Sequence, residues 1–298
     1  MNFRKNALTV MIGIAMISPA AYAQTSQQNS EASDDIEHIT VSGSQVKLND
    51  SFAGGQVSRG GRAGILGNLD MMDSPFNSIN FTADIIREQQ SRSVADVLQN
   101  DPVVRVAKGF GNFQELYVMR GLPVYSDDMT YNGLFGILPR QYVAAELLER
   151  VEVFRGASAF LNGAAPGGSG LGGSVNIVPK RAGEEPLNRF TLGYESQGHL
   201  LGAVDVSRRF GEEGNSTGVR VNLVQRGGET SVENQDRDLS VASVGIDHEG
   251  EKVRVALDIG FQDHQVDAPR PAVTPSGGIP DAPESDTNFA QPWTYTNE

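Results

Sequence analysis

Residues 167–181 read GGSGLGGSVNIVPKR, and Gly168, Gly170 and Gly173 fall at the G-x-G-x-x-G spacing of a dinucleotide-binding loop. Such a loop joins a strand to a helix, whose free N–H groups face the pyrophosphate. Here the glycines lead into Val175, Asn176, Ile177 and Val178, a β-branched run closed by Pro179, which cannot continue a helix. The glycines therefore open a strand, and the nucleotide-dependent enzyme reading fails its context test. No Walker lysine, Ser/His/Asp set or paired-carboxylate signature elsewhere supports catalysis.

The N-terminus carries the next clue. Arg4 and Lys5 precede an apolar stretch over residues 7–18, and Ala21-Tyr22-Ala23 then precedes Gln24. This is the order of a secretory signal peptide, residues 1–23, cleaved after Ala23. Its apolar core is shorter than the ~20 residues a spanning helix needs, and no later window reaches that length. The sequence has no cysteine, which excludes a disulfide framework and thiolate metal sites. Without the leader, 22 basic residues face 37 acidic ones, a balance that argues against a nucleic-acid partner. His38, His199, His248 and His264 are scattered without ligand spacing, so no metal site and no resident cofactor is expected.

Residues 24–73 are rich in Gln, Ser, Asn, Gly and Asp and read as a flexible tether. Within it, residues 34–42 place Ile39 and Val41 in alternation, a short extended patch suited to pairing with the edge of a partner's sheet, or equally an apolar cluster without meaning. Residues 74–182 alternate short strands and helices, the texture of a small α+β domain. A strand over 79–82 ends at Thr82, which caps a helix from Ala83 to about Gln90. Ser93 to Asp96 resembles a capping box. Further strands are expected at 103–106, 115–119 and 151–154, and a helix over 141–148.

From about Leu187 the chain turns to strands alone. Val253, Val255, Leu257, Ile259 and Phe261 alternate with mostly polar or small residues, a period of two, and residues 204–206 and 219–223 do the same. Residues 239–248 change apolar parity midway, which marks an expected bulge. Short and long connections alternate as they do in outer-membrane barrels. A soluble secreted β-rich binding protein would alternate too, and remains the alternative.

At this point ordered blocks become recognisable. Residues 65–106, "YVMRGLPV" at 117–124, "MTYNGLFG" at 129–136, "LLERVEVFRGASAFLNG" at 147–163 and the opening stretch follow one another as in TonB-dependent outer-membrane receptors of the siderophore branch, which the chain resembles over nearly its whole length. The resemblance implies an α+β plug domain (74–182) followed by an antiparallel transmembrane β-barrel whose start is 187–298, about the first five or six strands of a receptor truncated at Glu298. It implies outer-membrane location in a Gram-negative bacterium and, as partners, TonB, outer-membrane lipid and a ferric siderophore, with a vitamin or glycan as the alternative ligand. Iron would arrive chelated in the cargo.

Residue roles come from the same resemblance. His38, Ile39, Thr40, Val41 and Ser42 form the TonB box. Phe110, Asn112, Phe113, Tyr131 and Asn132 lie in plug loops expected to face the ligand, although the aromatics there equally suit a plug core. Arg120 and Arg155 match plug arginines that pair with barrel carboxylates. The tether is too short for an additional N-terminal signalling domain.

Overall fold

The computed structural model describes residues 48–297, except 110, 113, 275, 277, 279 and 280. The hairpin β1 (Gly60–Arg62) and β2 (Asn68–Asp70) comes first, then β3 (Ser78–Thr82), whose last residue starts α1 (Ala83–Glu88). Thr82 does so by accepting the Asp84 N–H at 3.3 Å, while Ile85 and Ile86 turn inward. Next is α2 (Val94–Leu98), with Val94, Ala95, Val97 and Leu98 buried. Its cap differs from the expected box. Ser93 makes no side-chain cap; the Ala95 N–H goes instead to Glu115 at 3.2 Å, and Asp96 accepts from the Arg92 N–H at 2.9 Å.

β4 (Val104–Lys108), β5 (Leu116–Met119) and β6 (Leu122–Tyr125) make a three-stranded meander. β7 (Thr130–Tyr131), β8 (Leu148–Arg155), the short α3 (Ala159–Asn162) and β9 (Gly173–Pro179) follow. A four-stranded sheet forms in the order β3-β8-β9-β7, with β7 parallel to β9. Its apolar face and the first two helices enclose the main core, where Leu98, Tyr117, Met119, Val151, Val153 and Ile177 are wholly buried.

The helix expected over 141–148 is absent. Only residues 145–147 form a single tight turn, and β8 begins at Leu148. Ala144 is extended, and the Gln262 side chain takes backbone groups a helix would use, accepting from Ala144 N–H at 3.0 Å and donating to Tyr142 C=O at 2.9 Å. Residues 48–73, expected as tether, lie against the plug: Ser58 is 0% exposed and Ala63 2%.

β10 (Leu187–Tyr194), β11 (Leu200–Glu212), β12 (Asn215–Glu229), β13 (Asp236–Glu249), β14 (Arg254–Asp267) and β15 (Tyr295–Asn297) form one antiparallel wall in sequence order. Turns at 213–214 and 250–253 close one end. Connections at 195–199, 230–235 and 268–294 close the other, and the last is by far the longest. The wall is polar toward the plug: Asp205, Ser207, Arg220, Asn222, Arg226 and Asp247 are buried there. Its other face presents Phe190, Leu192, Leu257, Ile259 and Phe261, with Leu192 91% exposed and Ile259 60%. The bulge expected in 239–248 does not occur, since β13 keeps continuous register with both neighbours. Its parity changes because Leu239 and Val241 pack on Tyr142 and Ala144 of the plug, whereas Val244 and Ile246 pair with Ile259 and Leu257 on the outward face.

Candidate functional site

Plug and wall meet through side chains that the wall strands point inward. Glu149 of β8 accepts from Arg220 at 2.9 Å; Arg220 also forks onto Asp205 with two bonds of 2.8 Å. Lys180, in the connection from plug to wall, reaches Asp205 at 3.1 Å, and Arg181 reaches Asp258 at 2.6 Å. Arg209 holds both Asp247 and the Ala182 carbonyl at 2.7 Å. Toward the other end, Glu146 pairs with Arg226 and Arg92 with Glu195. Asp205, Asp247, Arg220 and Arg226 are largely desolvated, so each of these charges depends on its partner, whereas Arg92 is 42% exposed. Tyr142 stacks on His264 with centroids 4.1 Å apart and lies 5.8 Å beneath the Arg237 guanidinium.

At the long-loop end, a cavity of about 960 Å³ opens between the plug and the connections at 195–196, 230–235 and 270–272. Its lining is mixed and polar, including Arg92, Asn112, Glu115, Tyr142 and Arg237. One side is fixed by the plug loop around Gly111. The Gly111 carbonyl accepts from the Arg270 N–H and from Gln235 Nε2, and Asn112 Nδ2 donates to the Arg270 carbonyl at 2.8 Å. Gly111 has φ +67°, and a Cβ there would press on Arg270 at 3.1 Å, so glycine suits both the turn and the approach. Glu115 lies in the floor. It accepts from the Tyr117 hydroxyl at 2.6 Å and from the Ala95 N–H, and burial pushes its carboxyl up to about 7. Among the described residues, no group of His, Cys, Asp and Glu is arranged to hold a metal ion.

The expected ligand-facing loops do not converge. Asn112 lines the long-loop cavity, whereas Asn132 lines a second cavity of about 780 Å³ at the short-turn end, beside residues 211–214. Tyr131 is near Asp258 and Arg181, and Asn132 accepts from Arg62 at 2.6 Å and takes its backbone N–H to Ile177 C=O. The cause is topological: β7 pairs with β9 next to the exit into the wall, so its turn is drawn to that end. Phe110 and Phe113 lie outside the described residues, as do His38, Ile39, Thr40, Val41 and Ser42.

The two plug arginines differ from expectation as well. Arg155 bonds within the plug, to Asp101 at 3.0 Å and Asn77 at 3.1 Å. Arg120 is exposed in a turn at φ 52° and makes no ion pair among the described residues. The plug–wall pairs come instead from Arg92, Glu146, Glu149, Lys180 and Arg181. Their only sequence signal was charge at or near the ends of elements, and the facing residues lie far away in the chain.

The glycine-rich stretch resolves as its context required. β9 follows it, and its amides are already taken: Asp128, 3% exposed, accepts from Gly167 N–H at 2.6 Å and Ser169 N–H at 3.1 Å. A carboxylate of the protein itself occupies the place a phosphate would need. A Cβ on Gly172 would lie 2.1 Å from the Met119 carbonyl oxygen, so close packing explains that glycine.

Known proteins share this arrangement. Residues 70–169 match the family profile described as TonB-dependent Receptor Plug Domain. The chain is 43% identical over 276 residues to the ferrichrome receptor FcuA of Yersinia enterocolitica, which covers 90% of this chain and 36% of that receptor. The crystal structure of BauA, the ferric preacinetobactin receptor from Acinetobacter baumannii, superposes with a TM-score of 0.79 at 38% identity, over 83% of this chain and 37% of that one. The ferripyoverdine receptor of the outer membrane of Pseudomonas aeruginosa shares the fold at 18% identity, with a TM-score of 0.69 over 85% of this chain and 35% of that one. The chain thus spans little more than a third of the length of these relatives. Residues 70–169 are thus a TonB-dependent receptor plug domain, and the likenesses to FcuA and BauA run on through the strands that follow it.

Proposed function

We propose that this chain serves the uptake of a ferric siderophore across the outer membrane of a Gram-negative bacterium, powered through TonB. The observation that carries this reading is the cavity of about 960 Å³ to which plug and wall both contribute, at the end where the connections are longest. In membrane barrels the long loops are extracellular and the short turns periplasmic. A chelate arriving from outside would meet Asn112 and the neighbouring Phe110 and Phe113 first. The outward apolar face of the wall suits lipid, and speaks against a secreted binding protein that stays in water. In this reading residues 1–23 direct export and are removed. His38 to Ser42 then pair with a periplasmic sheet edge of TonB.

The test uses the full reading frame in cells supplied with radio-iron ferrichrome, the ligand class named for the 43%-identical relative. Deleting residues 38–42 is expected to abolish uptake while surface binding persists. Undiminished uptake by that deletion overturns the coupling assignment. Binding of a vitamin or glycan in place of every ferric chelate tried overturns the ligand class.

A further inference from the structure

The connection between β12 and β13, residues 230–235, reads TSVENQ and holds one apolar residue, Val232, which is buried. It closes on itself through backbone bonds from Thr230 N–H to Gln235 C=O at 3.0 Å and from Gln235 N–H to Val232 C=O at 3.2 Å, with Asn234 in the left-handed region at φ 58°. Gln235 ends the connection and is 2% exposed. Its side-chain oxygen accepts from the Thr230 hydroxyl at 3.2 Å, which turns the amide nitrogen the other way. That nitrogen donates to two carbonyls from two other parts of the chain, Gly111 of the plug at 3.0 Å and Ala268, at the start of the longest connection, at 3.2 Å. A side-chain amide nitrogen carries two hydrogens, and both are used.

Ala268 is wholly buried at φ 46°, a backbone conformation that a residue with a Cβ keeps only where its surroundings hold it there. Its carbonyl serves Gln235 and, at 2.8 Å, Asn288 Nδ2, which also reaches the Glu233 carbonyl at 3.1 Å. The Glu233 N–H in turn donates to Asp286 C=O at 2.9 Å. The plug side is held as closely. Gly111 C=O takes the Arg270 N–H besides Gln235, and Asn112 accepts from Gln114 N–H at 3.1 Å while its nitrogen goes to Arg270 C=O. Three segments far apart in sequence thus meet on one amide, and all of them line the same cavity: Asn112 from the plug, Ser231 from the first connection, Arg270 and Ala272 from the last. Val232 and Ala268 apart, the residues that meet there are polar or glycine, so directional bonds more than apolar packing fix this side of the cavity.

We infer that Gln235 is a positioning residue for the cargo site: it holds the plug loop at Gly111 and Asn112 and both connections in one arrangement before the chelate arrives, and so raises affinity without taking part in transport. This rests on the uptake reading above and adds to it the side chain that shapes the receiving cavity. Ordering three polar segments at the moment of binding lowers affinity, and a site ordered in advance avoids that loss. Glutamine suits the place where its near analogues do not, since glutamate would set an oxygen against two carbonyls and asparagine is one methylene shorter. Leucine has a similar size and no polar atom. With leucine, Gly111 keeps the Arg270 N–H and Ala268 keeps Asn288, so neither carbonyl is left without a donor, and the fold persists while the tie between them is lost.

In the full reading frame, Gln235→Leu is expected to raise the half-saturating concentration for radio-iron ferrichrome uptake by about tenfold, with the maximal rate unchanged. Equal half-saturation in wild type and variant overturns the positioning role. So does a lower maximal rate at unchanged half-saturation, which marks damaged receptor and not a loosened site. Without any ligand, the variant in detergent is expected to exchange hydrogen about tenfold faster at the Arg270 amide, whose acceptor is Gly111, while Val224 and Leu239 of β12 and β13 keep wild-type protection. An Arg270 amide as slow in the variant as in the wild type overturns the inference, and equal acceleration at Val224 and Leu239 means that the wall itself has opened, which overturns it too. Failure of the wild type to bind ferrichrome or any other ferric chelate, with Arg270 exchange still sensitive to Gln235, sinks the uptake reading alone.

Discussion

The plug and the wall are built with opposite polarity. In the plug, Leu98, Val151 and Ile177 point inward and charged groups such as Arg87 and Glu88 lie at the surface. In the wall, Arg220, Asp205 and Asp247 point inward while Leu257, Ile259 and Phe261 face out. The same alternation of apolar and polar residues thus has two meanings, and the neighbour decides which. A strand that faces polar plug side chains on one side and, under the uptake reading proposed above, lipid on the other must reverse the rule that holds for a domain in water.

Three tests probe that contrast. Arg220→Met removes the cation shared by Asp205 and Glu149 and leaves the buried Asp205 and the half-buried Glu149 short of a partner. It is expected to destabilise the full reading frame by about 3–5 kcal/mol in thermal unfolding in detergent, and a loss under about 1 kcal/mol means that water already solvates the seam.

Glu115 makes the second test, inside the plug. Its carboxyl is raised from 4.5 to about 7, chiefly by burial. At pH values below 4.5 it is protonated in both folded and unfolded chains and has no influence on the pH dependence. Between 4.5 and about 7 the unfolded chain releases the proton that the plug retains, so stability falls as pH rises, by on the order of 3 kcal/mol, and levels off above. Glu115→Gln is expected to remove this slope in denaturation curves taken on both sides of the window. An identical slope in wild type and variant excludes the buried carboxyl as its source.

The third test compares two exposed apolar side chains. Ile259→Arg on the wall is expected to lower stability by about 2–4 kcal/mol at mid-depth in lipid. Met72→Arg, at a plug residue 85% exposed, is expected to stay within about 0.5 kcal/mol. Equal effects would place both side chains in the same solvent.

Much of the fold was legible because it is local. Thr82 caps α1 as its type and position suggest, and the alternation ending at Phe261 marks β14. What escaped depends on partners far along the chain. Residues 141–148 have helical composition, but Gln262 takes the amide and carbonyl that a helix would need. The parity change in β13 looked like a bulge because apolar residues were assumed to share one face, whereas Leu239 serves the plug and Ile246 the exterior. Tyr131 and Asn132 sit in a motif of the right kind, yet the parallel pairing of β7 with β9 carries them to the opposite end from Asn112. Arg155 looked available to the wall, but Asp101, wholly desolvated within the plug, requires it.

None of the four sheets mixes strands from plug and wall among the described residues. Where a plug backbone needs a partner, at Tyr142 and Ala144, a single glutamine amide imitates one. The two bodies are therefore seated together without being woven. Slippage between them can proceed contact by contact, with water lubricating each side chain as it lets go, and never requires the simultaneous tearing of a ladder.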